Sequence, residues 1–240
     1  ILAGGNFGLY YQVYQKGPGV LRRNTEFKAY LLILGVVTLL IMLNLAYAFG
    51  GEWTTAFRYA SFQVASIATT GFVSADYDTW PAFSKLLLLF LMICGGCAGS
   101  TAAGLKVSRV VILVKALWIT AFQKVHPNMV RRVEINGHYV GDDTVVRVSH
   151  FFFLYMAFIA LWALLLTWDG VNIFDAVGIS VSTMGCIGPA FGITGATCTY
   201  ANLSDFAKSI LCLSMLLGRL EILTLLVMCR RSFWKSKGMW

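Results

Sequence analysis

The sequence predicts an all-α polytopic membrane protein, built from repeated span–pore helix–span units with re-entrant filter loops. Hydrophobic residues make up 58% of its 240 residues, and charged residues make up 12%, about half the share found in soluble globular chains. The mean hydropathy is +0.72. Long apolar stretches recur along the chain, and glycine-containing turns follow two shorter ones. This composition excludes a disordered chain and argues against an ordinary soluble enzyme.

Four stretches are candidates for membrane spans, because a spanning helix needs roughly 20 mainly apolar residues. They cover residues 27–49, 84–118, 150–168 and 206–228. The second is interrupted by a run of small residues at positions 95–104, and the last carries Arg219 and Glu221. We therefore expect two continuous spans, one broken span and one span with charges inside it.

Two shorter apolar stretches, residues 53–68 and 171–183, lie between the spans and are too short to cross a bilayer comfortably. The first is followed by Thr69-Thr70-Gly71-Phe72 and the second by Gly185-Cys186-Ile187-Gly188-Pro189. Non-helical backbone at membrane depth is tolerated only where it is buried in protein or lines water. The pattern therefore predicts two pore helices, each followed by a re-entrant turn.

The two units form an internal repeat of the same topology. Gly188 lies 117 residues after Gly71, and the span beginning at residue 150 lies 123 residues after the span beginning at residue 27. The repeat rests on hydropathy and on glycine placement, since the two copies share little sequence identity.

The net charge is +8, and the positions of the basic residues predict orientation. Four Lys or Arg precede or open the first span, seven lie between Gly104 and His150, and four follow the last span. By the positive-inside rule this side is cytoplasmic. The basic residues are topology signals in this interpretation, and we expect no nucleic-acid partner because no RNA- or DNA-binding motif accompanies them.

The two turns carry the chemistry of cation binding. A dehydrated cation needs oxygens in place of water, and extended backbone rich in glycine can direct carbonyls to one axis. Thr69-Thr70-Gly71-Phe72 resembles a degenerate potassium-channel filter, Thr-x-Gly-Tyr/Phe. We predict an ion filter at Thr69, Thr70, Gly71, Phe72, Gly185, Cys186, Ile187 and Gly188. Its K⁺ ligands would be the backbone carbonyls of Thr70, Gly71, Ile187 and Gly188. The alternative is ordinary extracellular turns.

Two further features of the sequence could control the passage of ions. The small-residue run could protrude beneath the filter and obstruct it, or it could be a close-packed helix crossing. Arg219 could face the pore and repel cations, or it could pair with a carbonyl or an acid on a neighbouring helix. The predicted gating residues are Gly95, Gly96, Gly99, Ser100, Thr101, Gly104 and Arg219.

The sequence favours a transporter over an enzyme, because no Ser/His/Asp, Cys/His or metal-ligand constellation lies within the spans. We expect no cofactor bound by this chain. The six cysteines are interpreted as small residues that pack helices.

Five runs resemble the TrkH potassium-uptake family of the Trk/Ktr/HKT cation transporter superfamily. They are residues 62–72, 76–81, 95–106, 185–192 and 216–222, of which GGCAGST and GRLEI are the most specific. The family fold has four span–pore–span repeats around one central pore. The resemblance implies that residues 1–26 are the end of a preceding helix and a cytoplasmic loop. Residues 27–118 are then the third repeat, 119–149 a cytoplasmic loop, and 150–240 the fourth repeat with a basic cytoplasmic tail.

The resemblance also implies roles and partners. Gly71 and Gly188 become filter glycines, residues 95–104 the intramembrane gating loop, and Arg219 the basic residue that restricts permeation. K⁺ becomes the transported ion, with a homodimer in the bacterial cytoplasmic (inner) membrane as a multi-pass protein, and with a cytosolic TrkA-like nucleotide-binding regulator. We expect the chain to be truncated at its N-terminus, so that two of four repeats alone would not conduct. The alternative function is secondary transport of another small substrate or of sodium ion.

Overall fold

The computed structural model describes residues 1–126, 132–220 and 222–228, and within them it is helical apart from turns, loops and one small hairpin. The helices are α1 (Phe7–Lys16), α2 (Gly19–Arg23), α3 (Thr25–Ala48), α4 (Trp53–Ile67), α5 (Ala82–Cys94), α6 (Val107–Val125), α7 (Asp142–Trp168), α8 (Ile173–Met184), α9 (Asp205–Arg219) and α10 (Ile222–Met228). The predicted all-α fold class is confirmed. Glu221 and the predicted basic tail over residues 229–240 lie outside the described residues.

Among the described helices, α3 and α7 are long and apolar enough to cross a membrane. Helix α3 begins where the Asn24 side chain accepts a hydrogen bond from the Phe27 N–H at 2.9 Å, which satisfies a donor of the first turn. Helix α7 begins at Asp142, eight residues before the predicted span. The apolar window missed this start because the first two turns of α7 are polar, with Asp142 and Asp143 favourably placed at the helix N-terminus.

The repeat is more regular in the structure than in the hydropathy pattern. Helix α7 begins 117 residues after α3, α8 ends 117 residues after α4, and Gly188 lies 117 residues after Gly71. Each long helix packs along the short helix that follows it, α3 on α4 and α7 on α8. The 123-residue offset between the predicted spans came from the late predicted start of the second one.

Two predicted spans are broken helices. Helix α5 ends at Cys94 and α6 begins at Val107, and the non-helical stretch between them is residues 95–106. Gly95, Gly99 and Gly104 have φ of 65°, 74° and 86°, a region that L side chains rarely adopt. The last span was predicted as one stretch over residues 206–228 with charges inside it, but α9 ends at Arg219 and α10 begins at Ile222. Close packing against α8 at this point, through Gly218, accompanies the break.

Residues 1–26, predicted as the end of a preceding helix and a cytoplasmic loop, contain short helical elements in the structure. A 3₁₀ turn, Leu2–Gly4, precedes α1, and the Asn6 side chain caps α1 by accepting from the Leu9 N–H at 3.2 Å. The predicted loop over residues 119–149 also contains regular structure. Helix α6 continues to Val125, and β1 (Glu134–Ile135) pairs antiparallel with β2 (His138–Tyr139).

The buried core joins the two repeats. Tyr30 of α3 and Leu88 of α5 belong to the same apolar cluster as Tyr155 of α7 and Met184 of α8. This continuous packing fixes the turns after α4 and α8 with respect to each other.

Candidate functional site

The two predicted filter turns are in direct contact. Gly71 has φ of 70°, and a Cβ atom at this position would collide with the carbonyl oxygen of Ile187 and lie 2.8 Å from Cδ of Pro189. A residue with a side chain would therefore be both strained and obstructed at position 71. The turns are far apart in sequence, but the structure brings them together at Gly71.

A serine near the end of each pore helix closes the turn that follows. The Ser66 hydroxyl donates to the carbonyl of Phe72 at 2.6 Å, and the Ser182 hydroxyl donates to the carbonyl of Pro189 at 2.7 Å. Each serine carbonyl also accepts a backbone N–H from the turn, Gly71 to Ser66 at 2.9 Å and Ile187 to Ser182 at 3.0 Å. Sequence reasoning missed this pair, although Ser182 lies 116 residues after Ser66, within one position of the 117-residue offset of the repeat.

The first turn folds back on the end of α4. Thr70 donates to the Ser66 carbonyl through its N–H at 2.7 Å and through its hydroxyl at 3.3 Å. The Thr69 hydroxyl is buried with no hydrogen-bond partner among the described residues, and the Phe72 side chain is exposed. The Thr70 hydroxyl is thus already engaged, which leaves backbone oxygens as the candidate ion ligands of this turn.

The second turn is hydrogen-bonded to the loop that follows it. Cys186 and Gly188 have φ of 50° and 113°, and the Gly188 carbonyl accepts a hydrogen bond from the Tyr200 hydroxyl at 2.6 Å. A cavity of about 380 Å³ lies beside Cys186, Gly188 and Tyr200. Tyr200 therefore orients a carbonyl that we had predicted as an ion ligand, and no pattern in the sequence pointed to it.

The repeats are also joined beyond the turns. The buried Tyr77 hydroxyl donates to the Ala190 carbonyl at 2.6 Å, and the Asp78 carboxylate accepts from the Gly192 N–H at 3.2 Å. Partial burial raises the pKa of the Asp78 carboxyl, and the bond from Gly192 opposes that rise. These contacts tie the segment after the first turn to the segment after the second.

The small-residue stretch is a non-helical loop next to the second turn, which we call the intramembrane loop (residues 95–106) after its predicted location. A Cβ atom on Gly104 would lie 3.5 Å from the Tyr155 hydroxyl and 3.8 Å from Cα of Gly185. A Cβ atom on Gly96 would lie 2.9 Å from the Ala102 side chain, so the loop also folds tightly on itself. The loop therefore contacts the start of the second turn.

The chain start lines one side of this loop. The Cys97 N–H donates to the Gly4 carbonyl at 2.8 Å, and Thr101 donates to the Ala3 carbonyl through its N–H at 3.4 Å and its hydroxyl at 3.2 Å. The Phe7 N–H donates to the Gly99 carbonyl at 3.3 Å. Ser100 braces the loop internally by donating to the Cys97 carbonyl at 2.6 Å.

Arg219 also contacts the loop. Its Nη1 donates to the Thr101 carbonyl at 2.7 Å. The neighbouring Gly218 packs so tightly on the end of α8 that a Cβ atom would collide with the Met184 carbonyl. The Arg219 guanidinium therefore pairs with a carbonyl of the intramembrane loop rather than of a neighbouring helix, and this pairing is compatible with either hypothesis for its role.

Comparisons with known proteins agree on one family. A profile of the TrkH family, described as cation transport protein, matches residues 20–236. The Trk system potassium uptake protein TrkH of Salmonella typhimurium is 34% identical over 242 residues, covering 98% of this chain and 49% of that protein. The Trk system potassium uptake protein TrkG of Escherichia coli is 31% identical, with the same 98% and 49% coverage. The chain spans about half the length of the curated relatives it matches.

A solved structure shares the fold. The crystal structure of the potassium transporter TrkH from Vibrio parahaemolyticus matches with a TM-score of 0.88 at 32% sequence identity, covering 97% of this chain and 50% of that chain. The residues that carried the resemblance thus lie in a matching fold as well as a matching sequence. The chain belongs to the TrkH family of cation transport proteins.

Proposed function

We propose that this chain contributes two of the pore-lining repeats of a bacterial potassium uptake system. The observation that carries the proposal is the contact between the two turns, where Gly71 lies against the carbonyl of Ile187. K⁺ would pass the turns by exchanging water for the carbonyls of Thr70, Gly71, Ile187 and Gly188. Similar proteins are named potassium uptake proteins, which supports K⁺ as the ion.

The intramembrane loop would act as the gate in this proposal. It lies against Gly185 at the start of the second turn, and Arg219 holds its Thr101 carbonyl. A cation leaving the turns would meet both the loop backbone and a guanidinium charge. Positive charge in a path of low dielectric raises the free energy of a passing cation, so Arg219 would add an electrostatic barrier to a steric one.

The assembly would be a multi-pass protein of the bacterial cytoplasmic membrane. Helices α3 and α7 supply its two continuous spans, and the basic residues of α6 and of the chain before α3 would face the cytosol. We propose a homodimer that binds a cytosolic TrkA-like nucleotide-binding regulator on that basic side. K⁺ is the transported ion and no cofactor is needed for this chemistry.

The test is rubidium uptake by a full-length transporter that carries residues 1–240, in potassium-starved cells lacking other K⁺ importers. We expect saturable uptake that excess K⁺ inhibits and equal Na⁺ does not. Uptake inhibited equally by Na⁺ would show a filter that does not discriminate between the two ions and would contradict potassium selectivity. Absence of any monovalent-cation uptake, with the protein present in the membrane, would favour secondary transport of another substrate and overturn the proposal.

A further inference from the structure

The intramembrane loop has a third anchor besides the chain start and Arg219. The Ala98 N–H donates to the Glu26 carboxylate at 2.6 Å. Glu26 lies in the first turn of α3, a helix of the same repeat but 72 positions earlier in the chain. A carboxylate acceptor gives a shorter and stronger hydrogen bond than a neutral carbonyl does.

The Glu26 side chain lies against the loop and is shielded from solvent. Glu26 is 9% exposed, and the neighbouring Cys97 is fully buried. The Asn24 cap at the Phe27 N–H fixes the first turn of α3, so the carboxylate projects from a rigid position. A buried carboxylate is costly unless it is hydrogen-bonded, and the Ala98 N–H supplies such a bond.

The three anchors hold different positions of the loop, except that two of them share Thr101. The chain start holds Cys97, Gly99 and Thr101 through backbone hydrogen bonds, and Arg219 also holds Thr101. Glu26 holds Ala98, between the first two of these positions. Loss of the Glu26 anchor would leave the part of the loop that contains Cys97 held by the chain start alone, while the Arg219 anchor at Thr101 stays intact.

We propose that Glu26 is a positioning residue of the gate, which holds the intramembrane loop in the ion path at Ala98, three residues before the position that Arg219 holds. The inference rests on the proposed function for one step only, that the loop obstructs the path. Whether Glu26 holds the loop in place can be measured without transport, because the buried Cys97 thiol becomes accessible if the loop is released.

The experiment measures the alkylation rate of Cys97 with a maleimide, resolved by peptide mass spectrometry, in the full-length transporter in membranes. The exposed Cys198 serves as the internal reference. We expect Glu26→Ala to raise the Cys97 rate about tenfold, since an unpartnered loop amide favours local opening. Glu26→Gln keeps a weaker, neutral acceptor at the same reach, and it should raise the Cys97 rate less than Glu26→Ala does. Glu26→Asp keeps the charge, shortens the reach and should behave like Glu26→Ala.

The matched control is Glu52→Ala, which removes an exposed carboxylate that makes no capping hydrogen bond. An unchanged Cys97 rate in Glu26→Asp and Glu26→Ala would overturn the inference, as would an equal rise in Glu52→Ala. If Glu26→Ala fails to fold, Glu26→Asp against Glu26→Gln decides. Rubidium uptake by the same variants separates the two proposals: faster alkylation with unchanged uptake supports the anchor and counts against the loop as a gate.

Discussion

At the residue scale, Gly71 is the position where a single methyl group should do the most damage. A Cβ atom would meet the Ile187 carbonyl, and φ of 70° is strained for any L residue. We expect Gly71→Ala to lower rubidium uptake by about tenfold or more, because the left-handed backbone alone costs roughly 1–2 kcal/mol before the collision is counted. Rubidium uptake normalised to protein in the membrane is the measurement.

Two alanine variants separate collision from strain. Gly188 has φ of 113° but open space around its Cβ position, so Gly188→Ala should be milder than Gly71→Ala. Gly35 lies within α3 with nothing near its Cβ position, and Gly35→Ala should leave uptake unchanged. If Gly71→Ala transports as well as Gly35→Ala, the two turns do not meet in the working protein.

Arg219 is the second residue for which we expect a substitution to change ion flux in a definite direction. Its guanidinium binds the Thr101 carbonyl, so Arg219→Ala removes both a positive charge and a loop anchor. We expect a faster rubidium flux, because removing a barrier of about 1 kcal/mol speeds a rate about fivefold. Flux into proteoliposomes is the appropriate readout, since it separates conduction from expression.

Arg219→Lys keeps the charge without the planar fork, and it should lie between wild type and Arg219→Ala. Arg58→Ala, which removes an exposed arginine of α4, is the control and should have no effect on flux. A flux that is unaltered or lost in Arg219→Ala at normal expression would contradict the barrier role.

At the element scale, hydropathy located the pore helices well because each is a compact apolar stretch that a turn terminates. Residues 53–68 and 171–183 correspond to α4 and α8 within one or two positions at each end. Hydropathy failed where a helix begins with polar residues or ends inside an apolar stretch. It missed the polar first turns of α7, and it ran through the break after Arg219, where Gly218 packs against Met184 of another helix.

The hydrogen bonds from the two serine hydroxyls predict that the same substitution will have the same effect in both repeats. Ser66 and Ser182 each donate to a carbonyl at the far end of the turn. Ser66→Ala and Ser182→Ala should each lower the free energy of unfolding by about 1 kcal/mol and lower the preference for rubidium over sodium. Thermal unfolding in detergent and competition uptake measure the two effects.

Ser209→Ala is the control for this pair, because the Ser209 hydroxyl is exposed and only donates back to the Asp205 carbonyl of its own helix. It should change neither quantity. A serine variant that alters stability in one repeat and not in the other would show that the two turns are not equivalent.

At the scale of the whole molecule, the sequence predicted which segments repeat but not what joins them. The polar contacts between the repeats include single hydrogen bonds between distant positions, such as Tyr77 with Ala190 and Arg219 with Thr101. Neither pair has a sequence signal, because nothing in hydropathy or spacing records which carbonyl a side chain will meet. The same holds for Glu26 and Ala98, where the sequence showed only an acid at the edge of a span.

Tyr77 offers the sharpest test that the two repeats behave as one unit. Its hydroxyl donates to the buried Ala190 carbonyl at 2.6 Å, while its ring packs edge-on against Phe191. Tyr77→Phe keeps the ring and leaves that carbonyl unpaired, at a cost of about 1–3 kcal/mol. A change in the first repeat should therefore accelerate amide hydrogen exchange in the second, over residues 189–195. Tyr47→Phe removes an exposed hydroxyl and should leave exchange there unchanged. Equal exchange in the two variants would mean that the repeats are joined by apolar packing alone, and that the bond to Ala190 does not couple the turns.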